Sequence, residues 1–452
     1  MSLLVFDSLL VANRGEIARR VLRTAAAMGL RTIAVHSEAD TDLPFVREAD
    51  EAVLLGPAPP AESYLDVARV LEAARRTGAE AIHPGYGFLA ESASFAQAVI
   101  DAGLIWVGPS PAAIAAMGDK ISARNRMAAA GVPVAPGTPE PLTEVAAAVE
   151  AARGLGYPLM VKASAGGGGI GMGVAYDDEQ LRSSFETART RAERFFSSPA
   201  ILLERYIEHA RHVEVQVLGL ADGRVVALGE RDCSVQRRHQ KVAEETPSPG
   251  VGAELRRRML DGAVRAAEAV GYRNAGTVEC LVDPKAQDYV FLEMNTRLQV
   301  EHPVTELVTG IDLVAEQLRV AAGEEPAADV FNVAVTGHAI ELRVYAEDPK
   351  RFLPSPATIT TWKEPEGPGV RVDGGYTAGN TVTPHYDPLL AKLCVHGADR
   401  DDALARARAA VEDFAIAGPK TNLPFFAELL SDPAFVSGDY DTGLVDALVA
   451  RR

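Results

Sequence analysis

The stretch Gly276-Thr-Val-Glu-Cys-Leu-Val-Asp283, a short turn containing Pro284, and Asp288-Tyr-Val-Phe-Leu-Glu-Met-Asn295 read as two strands of one hairpin. Glu279 and Glu293 lie seven residues either side of a centre near residue 286. In an antiparallel pair they face each other, with Cβ atoms about 5 Å apart. Two carboxylates at that distance repel unless something lies between them, and a divalent cation is the simple remedy. Mg²⁺ usually takes one or two carboxylates together with phosphate oxygens. Asn295, two residues past Glu293, points to the same face and offers a further oxygen. Two exposed edge carboxylates are the plainer alternative, disfavoured further by the glycine loop upstream, since phosphates and Mg²⁺ belong together.

Upstream, Ala165-Gly-Gly-Gly-Gly-Ile-Gly-Met-Gly173 contains G-x-G-x-x-G at 166, 168 and 171. A dinucleotide fold needs that motif between a strand and a helix. Here a strand signal follows, so the unit is strand–loop–strand, and no G-x-x-x-x-G-K-[ST] is present. A glycine-rich hairpin loop lies over a polyphosphate with its N–H groups exposed. Lys162, four residues before the first glycine of the run, supplies a point charge for phosphate oxygens. A flexible surface turn is the plainer alternative, disfavoured because four consecutive glycines are entropically costly.

Downstream of the hairpin, Glu293 to Glu306 (EMNTRLQVEHPVTE) carries too little apolar content for a core. Glu301 beside His302 and near Arg297 reads as a general base next to an anion clamp. Arg231 to Lys241 (RDCSVQRRHQK) is a basic island in an acidic chain, which by itself also fits a solvated charge run.

The 452 residues suggest two to four domains. With 47% apolar and 24% charged residues, disordered, collagenous and disulfide-scaffold classes are excluded. A net charge of −17 argues against nucleic-acid binding and against attraction to anionic lipid. Three cysteines point to a reducing, cytoplasmic compartment, and no apolar run is long enough for a membrane helix. Arg outnumbers Lys 37 to 8, so each lysine is a candidate for a specific role.

The first hundred residues alternate strand and helix signals (SLLVAN, RTIAVHS, AEAIHPGY and LIWVGPS, separated by helical stretches). That is a parallel α/β layer whose ligand loops, Asn13–Glu16 and His83–Phe88, follow its strands. The expected division is a doubly wound domain over 1–117, a helical linker over 118–135, a small lid unit over 136–205 and a mixed remainder over 206–452. The fold class is α/β with α+β.

These residues resemble the biotin carboxylase family of the ATP-grasp superfamily. ANRGEIA, AIHPGYGFLAES, MGDK, KASAGGGG, RHVEVQV, RDCSVQRRHQK, GTVECLVD, EMNTRLQVEHPVTE, GHAIELRVYAEDP and FLPSP occur in the family's order across nearly the whole chain. The resemblance implies an ATP-grasp fold: a doubly wound N-terminal domain, a mobile glycine-rich lid, and a mixed C-terminal domain with ATP between lid and C-terminal domain. It implies that Lys120 and Lys162 meet ATP phosphates and that Gly168 and Gly169 cover them. Glu204, with Arg205, Tyr206 and Ile207, would hold the adenine. His212, Gln236 and His239 would lie along ribose and phosphates, with Met172 and Leu281 also against the nucleotide. Glu279, Glu293 and Asn295 would bind Mg²⁺ or Mn²⁺. Lys241, Arg297, Gln299 and the Val300 backbone would hold bicarbonate, Glu301 would be the base, and Arg343 would face the ureido oxygen of biotin.

The implied reaction is the first half of an acetyl-CoA or other acyl-CoA carboxylase. Glu301 deprotonates bicarbonate, which attacks the γ-phosphate to give carboxyphosphate. This decomposes to CO₂ and phosphate, and biotin N1′ is carboxylated. The implied partners are a biotin carboxyl carrier protein and a carboxyltransferase; since no Met-Lys-Met site occurs, biotin arrives on another chain or on a further segment of this one. A homodimer is implied as well. Ala165 and Ile170 depart from the commonest glycine-loop pattern, and Tyr345 and Ala357 replace a frequent Asn and Gly. Two other readings stay open on the residues: an ATP-grasp ligase with an amine acceptor, and a nucleotide-binding scaffold without activity. The bicarbonate cluster and Arg343 weigh against both.

Overall fold

The apolar run Ser8–Val11 forms β1, buried along its whole length, as a strand covered on both faces must be. Together with β2 (Arg31–Ser37), β3 (Glu51–Gly56), β4 (Ala81–His83) and β5 (Ile105–Trp106) it builds a parallel sheet of order β3-β2-β1-β4-β5. The computed structural model describes residues 4–163, 172–196 and 199–452. The sequence pattern announces four of these five strands and misses β3. That strand lies at the sheet edge with Leu54 half-exposed, so its apolar signal is weak. The chain winds outward from β1 to β3, then returns to β4. The crevice between β1 and β4 is therefore a topological switch point, where ligands of open α/β sheets bind. Asn13 locks the two loops there, donating to Pro84 O and Tyr86 O at 2.7 Å each. Gly85 is required beside it: its φ is +64°, and a Cβ would stand 2.9 Å from Asn13 Nδ2.

The helix Pro111–Gly118 closes the first unit, and the expected linker forms the helix Lys120–Ala129, capped by the carboxylate of Asp119. Next comes an antiparallel three-stranded sheet, β7 (Gly173–Ala175), β6 (Leu159–Ala163) and β8 (Ile201–Arg205), in the order β7-β6-β8. Leu159, Val161 and Leu203 pack with Leu181 and Phe185 of the helix Asp178–Phe196 into a core of their own. By alternation Met160, Lys162 and Glu204 face the other way.

The largest unit is an antiparallel sheet of eight strands: β9 (Arg211–Gly219), β10 (Val225–Arg237), β11 (Gln240–Thr246), β12 (Asn274–Asp283), β13 (Asp288–Asn295), β14 (His338–Tyr345), β16 (Val370–Gly374) and β17 (Leu389–Gly397). Its order is β13-β12-β9-β10-β11-β14-β17-β16. Between β14 and β16 in sequence, β15 (Thr361–Lys363) pairs with β18 (Ala415–Ala417) outside it. On one face Val213, Val215, Val278 and Cys280 pack with the helix Ala253–Glu268, while Leu342 and Leu393 pack with the C-terminal helices. The opposite face carries Glu279, Glu214, Arg231, Glu244, Arg343 and Lys392, all buried. The basic island is solvated only at its tip: Arg238, His239 and Gln240 are exposed, whereas Arg231 lies on β10 and is fully buried.

Candidate active site

The two hairpin carboxylates face each other: Glu279 pairs with Glu293, and Thr277 with Asn295. Beyond them the register shifts, with Cys280 opposite Phe291, so Leu292 is an extra residue in β13. This bulge reverses the side-chain alternation. Tyr289 and Phe291 point into the core before it, whereas Glu293 and Asn295 face the cleft after it.

Glu279 accepts from Asn295 Nδ2 at 2.8 Å, Gln299 Nε2 at 3.0 Å and Lys241 Nζ at 2.8 Å, and lies 2.9 Å from His212 Nε2. Burial alone would raise its pKa, but Lys241 and His212 outweigh burial and hold it well below the carboxylate range. Burial and the Glu279 charge push Glu293 upward, with Lys120 as partial offset. Two opposed carboxylates with residual repulsion suit Mg²⁺, whereas Asn295, expected as a further oxygen donor, turns its Nδ2 to Glu279 and its oxygen to Arg297.

Lys241 is the hub. Its ammonium donates to Glu214 at 2.6 Å, Glu301 at 2.7 Å and Glu279, using all three N–H groups. Arg231, beneath, binds Glu214 at 2.5 Å and donates to Gln216 and Thr305. Glu301 is fully buried at the start of the helix His302–Thr309, and its second oxygen accepts from Arg343 at 2.9 Å. Burial would raise the Glu301 pKa, yet Lys241, Arg343 and Arg231 together hold it well below its usual range. Arg343 also meets Glu244 at 2.5 Å. Burial lifts Glu244 to about 7, against the pull of Arg343. Arg297 donates to Gln299 at 2.7 Å and to Glu91 at 3.1 Å.

A single cleft of about 1220 Å³ unites this cluster with the lid and the switch-point loops. Its walls include Lys120, Lys162, Met172, Glu204, Arg205, Tyr206, Ile207, His212, Gln236, His239 and Leu281. They also include Lys241, Glu279, Glu293, Asn295, Arg297, Gln299, Val300 and Arg343. Glu301 lies just beneath this surface. Lys162 pairs with Glu204 at 2.6 Å across the lid strands. Gly168 and Gly169 lie outside the described residues. His212, expected along the nucleotide, bonds Glu279 and so also belongs to the carboxylate cluster. Sequence reasoning overlooked Glu214, Arg231 and Glu244 as members. The available signal was charge at alternate positions of otherwise apolar strands, as in RHVEVQV.

Three family models cover most of the chain: "Biotin carboxylase, N-terminal domain" over residues 5–114, "Carbamoyl-phosphate synthase L chain, ATP binding domain" over 119–327, and "Biotin carboxylase C-terminal domain" over 341–447. Biotin carboxylase 2 of Bacillus subtilis (strain 168) is 50% identical over 438 residues, spanning 97% of this chain and 98% of the relative. The fold superposes on a biotin carboxylase from Campylobacter jejuni, solved as a "beta-gamma-ATP complex", with a TM-score of 0.94, 42% identity, and coverage of 98% of this chain and 99% of that one. The biotin carboxylase domain dimer of Hydrogenobacter thermophilus 2-oxoglutarate carboxylase, solved with MgADP, ADP and bicarbonate, gives a TM-score of 0.93 and 42% identity over 99% of this chain and 98% of that one. Family models matched in domain order, half-identity along nearly full length, and a cleft lined by opposed carboxylates and a buried Lys–Glu–Arg cluster agree: the chain belongs to the biotin carboxylase family of ATP-dependent ligases.

Proposed function

We propose that this cleft carboxylates biotin with bicarbonate at the expense of ATP, giving ADP, phosphate and carboxybiotin. The observation that carries the reading is the convergence of Glu279, Glu293, Lys241, Glu301 and Arg343 in one cleft. Mg²⁺ or Mn²⁺, held by Glu279, Glu293 and Asn295, would neutralise polyphosphate charge.

Lys120 and Lys162 meet the phosphates as point charges, and Gly168 and Gly169 cover them. The segment Glu204 to Ile207 edges the adenine, and Met172, His212, Gln236, His239 and Leu281 line the rest of the nucleotide. Bicarbonate enters among Lys241, Arg297, Gln299 and the Val300 backbone. Glu301 is anionic at neutral pH and takes its proton. Entry of an anion beside Lys241 draws that ammonium from Glu301, which strengthens the base when it is needed. The bicarbonate oxygen then displaces ADP from the γ-phosphoryl group, giving carboxyphosphate. This splits into CO₂ and phosphate, and the phosphate takes the N1′ proton of biotin. N1′ attacks the released CO₂ to give carboxybiotin, while Arg343, which does not deprotonate, balances charge on the ureido oxygen.

The unit 136–205 acts as the lid that excludes water, within the division 1–117, 118–135, 136–205 and 206–452. Biotin arrives on a carrier protein and leaves to a carboxyltransferase, and the catalytic unit is a homodimer. An acetyl-CoA or other acyl-CoA carboxylase is the assigned setting. Three free, buried cysteines support a reducing, cytoplasmic one. Among the described residues no helix is long and apolar enough to cross a membrane.

Phosphate release from ATP, measured against bicarbonate with and without free biotin, tests the reading. Bicarbonate-dependent turnover that rises with biotin is expected. Turnover that ignores biotin and rises with an amine overturns it.

A further inference from the structure

Arg343 and Lys392 stand directly opposite each other on β14 and β17. Two cations so placed repel. Both are nevertheless buried, and they hold consecutive residues of the same segment. Arg343 donates to the Glu301 carboxylate at 2.9 Å, and Lys392 Nζ donates to Val300 O at 3.0 Å. The Lys392 side chain is wholly shielded from solvent.

Its charge is balanced by Glu16, by Glu341 on β14 and by Asp373. Asp373, opposite it on β16, is 4.0 Å away but is already bound to Arg371 at 2.6 Å. Glu16, in the first turn of the helix Gly15–Ala27, is 3.1 Å away. The other Glu16 oxygen accepts from the hydroxyl of Tyr86, on the loop after β4. Lys392 therefore joins three elements: the catalytic segment, the loop after β1 and the loop after β4.

The peptide unit is planar. A fixed Val300 carbonyl therefore fixes the Val300–Glu301 peptide plane, and with it the Cα from which the Glu301 carboxylate reaches Lys241 and Arg343. A lost donor there would leave the partly buried Val300 carbonyl without its protein partner and free the plane to rotate.

We infer that Lys392 is a positioning residue for the carboxylation step. It orients the Val300–Glu301 peptide, and so the base and the bicarbonate-binding backbone, and ties that orientation to the N-terminal loops through Glu16 and Tyr86. The inference rests on the carboxylase reading above.

The test uses the full chain as Lys392→Met and as Lys392→Met/Glu16→Gln. The double variant removes the carboxylate that the single one leaves without its ammonium. In both, kcat/KM for bicarbonate falls about tenfold or more, while KM for ATP stays within about twofold. The double variant regains thermal stability relative to the single one without regaining bicarbonate kcat/KM. Equal losses toward ATP and bicarbonate, an unchanged bicarbonate kcat/KM, or loss of MgADP binding in both variants would each overturn the assignment by making Lys392 a general structural residue or an idle one. Wild-type turnover that did not depend on bicarbonate would sink the carboxylase reading itself, and this inference with it.

Discussion

Lys241 Nζ lies 2.7 Å from Glu301 Oε1 while bonding Glu279 and Glu214 at 2.8 and 2.6 Å. One ammonium thus links the base to the carboxylate pair assigned to the cation. A buried charge triad of this kind is costly to assemble, because every member loses hydration. Here the cost is partly offset: Lys241 spends three donors, and Arg231 and Arg343 take the outer oxygens of Glu214 and Glu301, while Arg343 Nε has no hydrogen-bond partner among the described residues. The result is a base kept ionised and in register beside the anion site.

Glu301→Gln keeps a polar partner for Lys241 and Arg343 but removes the proton acceptor. Bicarbonate-dependent turnover should fall by about 10²–10⁴-fold, the usual contribution of a general base. Nucleotide affinity should hold, because Lys241 retains Glu214 and Glu279. Steady-state phosphate release and MgADP titration on the same preparation separate the two effects.

Arg343→Lys should uncouple the half-reactions. Arg343 meets Glu244 and Glu301 through Nη2 alone, and a lysine lacks the further planar donors that the guanidinium then still offers. Bicarbonate-dependent ATP cleavage should persist in part, while carboxylation of free biotin drops at least tenfold further. The ratio of phosphate released to ¹⁴C fixed on biotin measures this, and an unchanged ratio would contradict the assignment of Arg343 to biotin.

Glu293→Gln removes half of the opposed pair. The weakening of Mn²⁺ binding in the presence of ADP should at least match the roughly 10–100-fold that loss of an outer-shell partner costs a metal site. Electron paramagnetic resonance titration reads it directly. The fold should survive, because Glu279 keeps Lys241, His212 and Asn295.

Glu245, next along β11 from Glu244, faces the other side of the sheet and tests the electrostatics away from the cleft. Burial would raise its pKa, but bonds from His338 at 2.6 Å and Arg400 at 2.7 Å outweigh burial and hold it at about 2. A folded-state value below the unfolded one of ~4.3 means that the unfolded chain binds the proton first as pH falls. The stabilisation is fully present above about pH 4.3 and is lost as pH falls toward 2. Glu245→Gln should cost about 3 kcal/mol at pH 7 and clearly less at pH 3. Urea unfolding at the two pH values checks the difference, and an equal loss at both would rule out the linkage.

Much of this protein is local in sequence. Strand alternation in GTVECLVD and DYVFLEMN, the helix–strand rhythm of the first hundred residues, and the run EMNTRLQVEHPVTE announce the fold class and most of the cleft, because period and composition are properties of neighbouring residues. What sequence could not settle are pairings between distant residues. Glu214 meets Arg231 and Lys241, and Lys392 meets Val300 and Glu16, only once separate strands are ordered in one sheet. The opposed carboxylates show both sides. Their equal spacing about residue 286 is visible in the chain, yet the turn register that pairs Asp283 with Asp288 would, if continued, set Glu279 against Leu292. Tyr289, whose hydroxyl bonds Arg258 O, and Phe291 are drawn into the core beneath the helix Ala253–Glu268. Leu292 then bulges, and Glu293 turns to face Glu279. The sequence by itself determined which residues form the hairpin; packing against a distant helix decided that its two carboxylates meet.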